Sequence, residues 1–316
     1  MAQSAVRTAQ GKQQKFSFSK FMNNENTVGY VFIGLFVIGF LVFTVYPLFS
    51  SLYYSLTKYD GLSAPEWIGL KNYTRMFTTD IRYQKSLLIT FIYVFTSVPL
   101  RLIFALIVAM LFKNGGRVVA AYRTLFYLPS VIGGSVAVAV IWRQLWGYGG
   151  IINKMFNAIG LIEGDFSFIA SESTALATVV VLAVWQFGSP MLTFLAGLKD
   201  IPVSYYEAAE VDGANGWQRF WKITLPCLSP VIFFNLINQM ISGFMAFTQA
   251  YIVTRGGPND ATNLYVVYLF EKSFTSRQMG YGSAMAWVLI VIVGIMTAIL
   301  FNTQHKWVFY ESKGGK

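Results

Sequence analysis

Six stretches of the chain, near 30–52, 86–112, 124–146, 173–198, 225–252 and 281–304, are strongly apolar, and each reaches the roughly 20 residues that a helix needs to cross a hydrocarbon core. A water-soluble domain has no place for six such runs. With 55% hydrophobic and only 12% charged side chains over 316 residues, the chain lacks the polar surface to cover so much apolar mass. Backbone N–H and C=O groups cannot stay unpaired in lipid, and the runs lack the period-two alternation of a barrel strand, so helices are the remaining solution. The expected fold class is therefore all-α, a polytopic membrane protein with six transmembrane helices. The third run is the least regular, because Gly133, Gly134 and Arg143 interrupt or border it. The first is too long for the apolar core of a cleavable signal peptide, and no small-residue cleavage site follows it.

Lysine and arginine set the orientation. The short segment after the second run carries Lys113, Arg117 and Arg123 without an acidic residue, and the N-terminal tail carries Arg7, Lys12, Lys15 and Lys20. Both are expected in the cytoplasm, and six spans then place both termini there. The loop after the first run also holds Lys58, Lys71, Arg75, Arg82 and Lys85, but it is long and contains Asp60, Glu66 and Asp80 as well. The net charge of +10 is thus topogenic; it is spread over loops and lacks the clustered basic face of a nucleic-acid partner.

Catalytic chemistry finds no residue set. His305 is the only histidine, which excludes a histidine metal cluster and a Ser-His-Asp triad, and no metal ligand set is expected. A phosphate-binding glycine loop is absent, so any ATP must be bound by another polypeptide. Cys227, the single cysteine, has no second thiol with which to form a disulfide.

The most distinctive polar segment is EAAEVDGANGWQRFWKITLP, Glu207 to Pro226, wedged between two apolar runs and facing the cytoplasm in this topology. Ser204 to Glu207 fits a capping box opening a helix, with small Ala208 and Ala209 on its face. Gly213 and the Asn215-Gly216 pair are expected to end that helix, and a second short helix to restart near Trp217. This string resembles the EAA loop of membrane subunits of binding-protein-dependent ABC importers, at Glu207, Ala208, Ala209, Asp212, Gly213, Ala214, Ile223, Leu225 and Pro226. Tyr46-Pro47-Leu48, the segment Trp67–Phe77, Tyr122–Ser130 and Thr254–Thr262 resemble the first permease subunit of the maltose, multiple-sugar and glycerol-phosphate group. The resemblance implies a type I ABC importer permease in a bacterial cytoplasmic (inner) membrane, transporting a sugar, with an oligosaccharide the expected substrate. It implies a second related permease subunit, two copies of a sugar-type ATPase that hold ATP and Mg, and an extracytoplasmic solute-binding protein. It implies no cofactor on this chain. Residues 1–25 would be a cytoplasmic tail, 26–306 the permease domain with its coupling loop at about 199–226, and 307–316 a second cytoplasmic tail. Glu207, Ala208, Ala209, Asp212, Gly213 and Ala214 would couple the loop to the ATPase, Glu207 meeting a basic residue there.

Polar residues within spans mark the expected substrate pathway, because a polar side chain facing lipid is costly. The candidates are Ser130 and Gly134 in the third span, Trp185 and Gln186 in the fourth, and Asn235, Asn238, Gln239 and Ser242 in the fifth. The last four share one helical face by their spacing. Hydrogen bonding between helices would explain the same residues without a substrate. Arg101 stands in the second span two residues after Pro99, with no Asp or Glu in any span to offset it. Its partner is open at this point between carbonyls freed by Pro99, a carboxylate on another subunit and an anionic substrate. An ATP-independent secondary transporter or channel would need ion-coupling carboxylates within the spans, which are lacking, and would leave the Glu207–Pro226 string unexplained.

Overall fold

The structure, a computed structural model, describes residues 25–309 except 163. The N-terminal tail with its four basic residues, and most of the C-terminal tail, lie outside the described residues. The chain divides into two compact units, up to Tyr53 and from Tyr54 onward. In the described part of the first, α1 (Glu25–Phe40) passes through one widened turn, Leu41–Val45, into α2 (Tyr46–Ser55). Phe36, Phe43, Tyr46 and Phe49 on it are exposed, a surface that lipid can cover and water cannot.

The second unit opens with the only strands among the described residues. Thr57–Lys58 (β1) and Glu66–Trp67 (β2) pair antiparallel, Thr57 opposite Trp67. All else regular is helix: α3 (Lys71–Thr78), α4 (Ile81–Leu111), α5 (Arg117–Ile132), α6 (Val136–Trp146), α7 (Ile151–Ala158), α8 (Glu172–Trp185) and α9 (Gly188–Asp200). Then follow α10 (Val203–Val211), α11 (Gly216–Arg219), α12 (Leu225–Phe244), α13 (Thr248–Val253), α14 (Tyr265–Phe270) and α15 (Met279–Thr303).

Among the described residues, four helical stretches are long and apolar enough to cross a membrane unbroken: Phe32–Ser55, Ile81–Leu111, Gly216–Phe244 and Met279–Lys306. Two bent pairs bring the number to six if each is one span. Arg117–Ile132 meets Val136–Ala158 at 96°, and Glu172–Trp185 meets Gly188–Asp200 at 43°. The first break falls at Gly133–Ser135, where the sequence pattern is weakest.

Helix α4 is the axis of the second unit. It packs against α8, α9, α12 and α14, burying Val94, Val98, Ala105 and Ala109 against Met191, Phe194, Leu198 and Phe244. Its first turn is tied to the segments that return to it. Asp80 caps the helix by accepting from the Tyr83 amide at 3.0 Å, and the same carboxylate accepts from the hydroxyls of Tyr268 at 2.8 Å and Tyr281 at 2.7 Å. Arg82 donates from Nε and Nη2 to both oxygens of Asp260, at 2.9 and 2.8 Å, and from Nη1 to Glu271 at 2.8 Å. The segment Thr254–Thr262 is thereby fastened to α4, and its ends are joined by the 2.6 Å bond from Thr262 to Thr254. At the far end of the unit, Val308 is buried and the Phe309 amide donates to Ser229 at 2.7 Å. Two residues past Lys306 the chain is therefore still held against the unit.

Burial alone would raise the Asp80 carboxyl, but the hydrogen bonds from Tyr281, Tyr268 and the Tyr83 amide outweigh it and hold the group below its ordinary value of 3.8. A carboxyl depressed in the folded state contributes stability that is complete above its unfolded value and fades as pH falls through the lower folded value. Asp80→Ala removes the cap and strands two tyrosine hydroxyls, and is expected to cost about 1–3 kcal/mol at neutral pH. Thermal melts of the purified complex should show this deficit at pH 7 and its shrinkage below about pH 3.8.

Candidate functional site

A cavity of about 330 Å³ lies where three helix interruptions meet: the α5/α6 break, the α8/α9 break and the gap between α12 and α13. Its wall carries Arg101 and Ser97 from α4, Gly134, Gln186, Gln239 and Ser242, and Gln249 from α13. A helix that stops leaves carbonyls without intrahelical partners, and at membrane depth these must be satisfied by protein or by a water-filled cavity. The first two breaks are met by donors from the protein. The Gln186 carbonyl, at the C-terminal end of α8, accepts from Arg101 Nε at 3.0 Å, from Arg101 Nη2, and from Ser130 Oγ at 2.8 Å. Ser130 in turn accepts from the Ser189 amide of the next half-helix at 3.0 Å. The Gly133 carbonyl, ending α5, accepts from Gln249 Nε2 at 3.3 Å. Gly188 lets the two broken spans touch, since a Cβ there would stand 2.7 Å from the Tyr127 Cα and 2.8 Å from the Phe126 carbonyl.

Of the pathway residues expected from sequence, the structure gathers Arg101, Gly134, Gln186, Gln239 and Ser242 on the cavity wall. Ser130 stands behind it on the Gln186 carbonyl. Trp185 is directed elsewhere, packing against Trp142 with ring centroids 5.9 Å apart. Asn235 is buried and returns a bond to the Val231 carbonyl, and Asn238 is exposed and bonds the Phe234 carbonyl. A shared helical face does not give a shared depth: Gln239 and Ser242 reach the cavity, and Asn235 lies a full turn before it. Arg101 bonds a backbone carbonyl, but that of Gln186 at the end of α8 and not the carbonyls freed by Pro99 that the sequence offered. Tyr93, Ser97 and Thr248 also line the cavity, and isolated hydroxyls in an apolar helix gave no sequence signal for them.

At the far end of α12 the polar loop folds into two helices. Helix α10 starts at Val203 with Pro202 as its N-cap and no side-chain cap bond. The capping box expected at Ser204–Glu207 is therefore absent, because the fixed ring torsion of Pro202 already ends the extended chain and puts Ser204 inside the first turn. The box forms instead at α11, where Asn215 accepts from the Gln218 amide and the Gln218 side chain accepts from the Asn215 amide, both at 2.9 Å. Asn215-Gly216 thus opens the second helix, while the first ends one step earlier, at Gly213. There the Ala214 amide donates to the Ala209 carbonyl at 2.8 Å and the Gly213 amide to the Glu210 carbonyl at 3.0 Å. These paired bonds make a Schellman motif, which needs a left-handed residue at its centre. Gly213 supplies it with φ +76°.

Arg219 bonds Glu210 at 3.2 Å across the two short helices, and Lys113 lies 4.4 Å over the Tyr206 ring, whose hydroxyl shares a 3.0 Å bond with Thr224. Glu207, Ala208, Asp212 and Gly213 are exposed, and Ala209 and Ala214 are half-buried. Val211 and Trp217 beside them are 89% and 70% exposed. Helix α11 runs through one widened turn, Phe220–Thr224, into α12, so a single helical stretch from Gly216 to Phe244 joins this loop to the cavity wall. Among the described residues no group of three or more His, Cys, Asp or Glu side chains is placed to hold a metal ion.

Residues 81–306 match the family model described as binding-protein-dependent transport system inner membrane component. The chain is 56% identical over 297 residues to the probable ABC transporter permease protein YesP of Bacillus subtilis (strain 168), covering 93% of this chain and 96% of the relative. It is 29% identical to the multiple sugar-binding transport system permease protein MsmF of Streptococcus mutans, over 88% of this chain and 95% of the relative. In fold it is similar to a chain of a bacterial alginate ABC transporter solved with its alginate-bound periplasmic protein, with a TM-score of 0.76, 18% identity, and coverage of 88% and 94%.

The cavity geometry makes a direct prediction. In a Cys227→Ser background, cysteine at Gln239 or Ser242 should react with a small polar thiol reagent, and cysteine at Asn235 should resist it. Equal protection at all three positions would mean that water does not reach the cavity.

Proposed function

The chain belongs to the family of binding-protein-dependent transport system inner membrane components, and on that premise we propose that it is one permease subunit of an ATP-driven sugar importer. It lines half of a translocation pathway, and a second related permease supplies the other half. Two copies of a sugar-type ATPase bind ATP and Mg and dock on the Glu207–Gly213 loop. A solute-binding protein delivers an oligosaccharide at the opposite end. The basic residues around Lys113–Arg123 support a cytoplasmic loop and cytoplasmic termini.

One observation carries this reading: the helical stretch Gly216–Phe244 begins in the loop and ends in the cavity wall. Between Gly216 and Ser242 it spans about 40 Å at 1.5 Å per residue. A force applied to the loop is therefore delivered to Gln239 and Ser242 without an intervening hinge of loop residues. The Schellman bonds and the Glu210–Arg219 pair fix α10 to the start of that helix, so the exposed Glu207 and Ala208 and the half-buried Ala209 move with it. The neighbouring Val211 and Trp217 supply apolar area for a partner to cover. Hydrolysis at the partner ATPase supplies the energy; this chain converts the loop's displacement into a change at the cavity. Its lining of amides and hydroxyls, with Tyr93 and Phe247 as aromatic faces, suits a sugar's alternating polar edge and apolar face. The multiple-sugar relative supports the same substrate class.

Replacing Glu207 with Lys should abolish sugar uptake in proteoliposomes and weaken retention of the ATPase during purification, with capture by the binding protein unchanged. Gly213→Val should do the same by straining the left-handed position, at about 1–2 kcal/mol or more. Wild-type uptake with a full complement of ATPase in the Glu207→Lys complex would reject the docking role.

A further inference from the structure

Arg101 brings a full charge into a cavity whose lining contains no Asp or Glu. Its surroundings offset only part of it. The Gln186 carbonyl is the end of α8, and a helix C-terminus carries roughly half a negative charge. Of the five N–H groups of a guanidinium, that carbonyl takes two, one from Nε and one from Nη2. This occupies the side edge of the fork and fixes the plane of the group. The remaining Nη2 hydrogen and the two on Nη1 have no acceptor among the described residues. Two of these three form the end edge of the guanidinium, the pair that grips a carboxylate in two parallel bonds.

The rest of the wall has no comparable anion trap, yet it is dense in neutral partners. Gln239, Ser242 and Gln249 stand on α12 and α13, and Ser97 lies one turn before Arg101 on α4. These serve hydroxyls. The wall thus pairs one unsatisfied, oriented cation with several neutral hydrogen-bonding groups in about 330 Å³, a volume within the range of small-ligand sites.

We propose that Arg101 receives the carboxylate of an acidic saccharide, so that the transported class is uronic-acid oligosaccharides and the arginine is the residue that selects it. This rests on the reading of the cavity as the sugar pathway. Arg101 then has two tasks on two edges: the side edge holds the α8 carbonyl, and the end edge holds the substrate. With the substrate bound, the charge that costs most in the empty cavity is neutralised, so an acidic sugar is retained better than its neutral counterpart.

The test uses the detergent-solubilised complex of both permeases and the ATPase, with the binding protein omitted. Equilibrium binding is measured for radiolabelled di- to tetrasaccharides of hexuronic acids and for the same oligosaccharides with carboxylates reduced to alcohols. The wild-type complex should prefer the acidic form by about tenfold or more, the worth of a charge-assisted pair. Arg101→Gln should erase the preference, and Arg101→Lys should keep part of it, since charge remains and the fork is lost. Equal affinity of the wild type for both forms overturns the proposal. So does an Arg101→Gln complex whose affinities for both forms fall in equal proportion, the result expected if the arginine only holds the α8 carbonyl or pairs with a carboxylate of the second permease. Binding of neither form, while a sugar-loaded binding protein still stimulates the ATPase, overturns the cavity site and leaves the importer standing. Absence of stimulation by any sugar-loaded binding protein overturns the importer reading, and this proposal with it.

Discussion

The carbonyl of Gln186 governs the membrane part of this protein. A helix that ends inside a bilayer exposes acceptors that lipid cannot satisfy, and every solution must bring donors to them from elsewhere in the chain. Here three N–H or O–H groups converge on that one oxygen, from Arg101 on α4 and Ser130 on α5. The bend between α8 and α9, the approach of α5 through Gly188 and the position of α4's only interior charge follow from the same bond set. The cavity is the space left where the breaks fall at similar depth. Its polar lining is what the interrupted backbone requires, and the proposed sugar pathway uses that lining.

At the other end, ordinary helix-end chemistry builds the Glu207–Pro226 loop. The alanines and the glycine of the Glu207–Ala214 string close a Schellman motif, which turns the chain tightly enough for a capping box at Asn215 to start the next helix. The motif's outward residues, Glu207 and Asp212, take no part in these bonds and stay exposed. Geometry and contact surface are thus divided between different residues of the same short string.

Much of this was legible in the sequence. The apolar runs located the spans, and Gly133 and Gly134 marked the sharper break. The gentler break at Gln186 was hidden, because its breakers Gly188 and Pro190 follow it within a continuous apolar run. The loop's two helices and the Gly213 end of the first were legible, but the N-caps were not: Ser204 offered the better pattern, and the rigid Pro202 beside it had already fixed the start. Periodicity put Asn235, Asn238, Gln239 and Ser242 on one face, yet only packing distinguishes their depth. Segments that resembled a family also prove to be polar ties. Asn72 donates to the Ser55 and Thr57 carbonyls at 2.8 and 3.0 Å, Asp260 holds Arg82, and Ser130 bridges two half-helices.

The proposed coupling is mechanical: the stretch Gly216–Phe244 moves as one body between loop and cavity. Paired spin labels measure this directly in the reconstituted complex, one pair within the helix at Gln218 and Asn238, and one pair across the cavity at Ser97 and Ser242. Adding a non-hydrolysable ATP analogue should leave the first distance unchanged and shift the second. A shift confined to the first pair, with the loop pivoting at the widened turn Phe220–Thr224 while the cavity stays fixed, would contradict it.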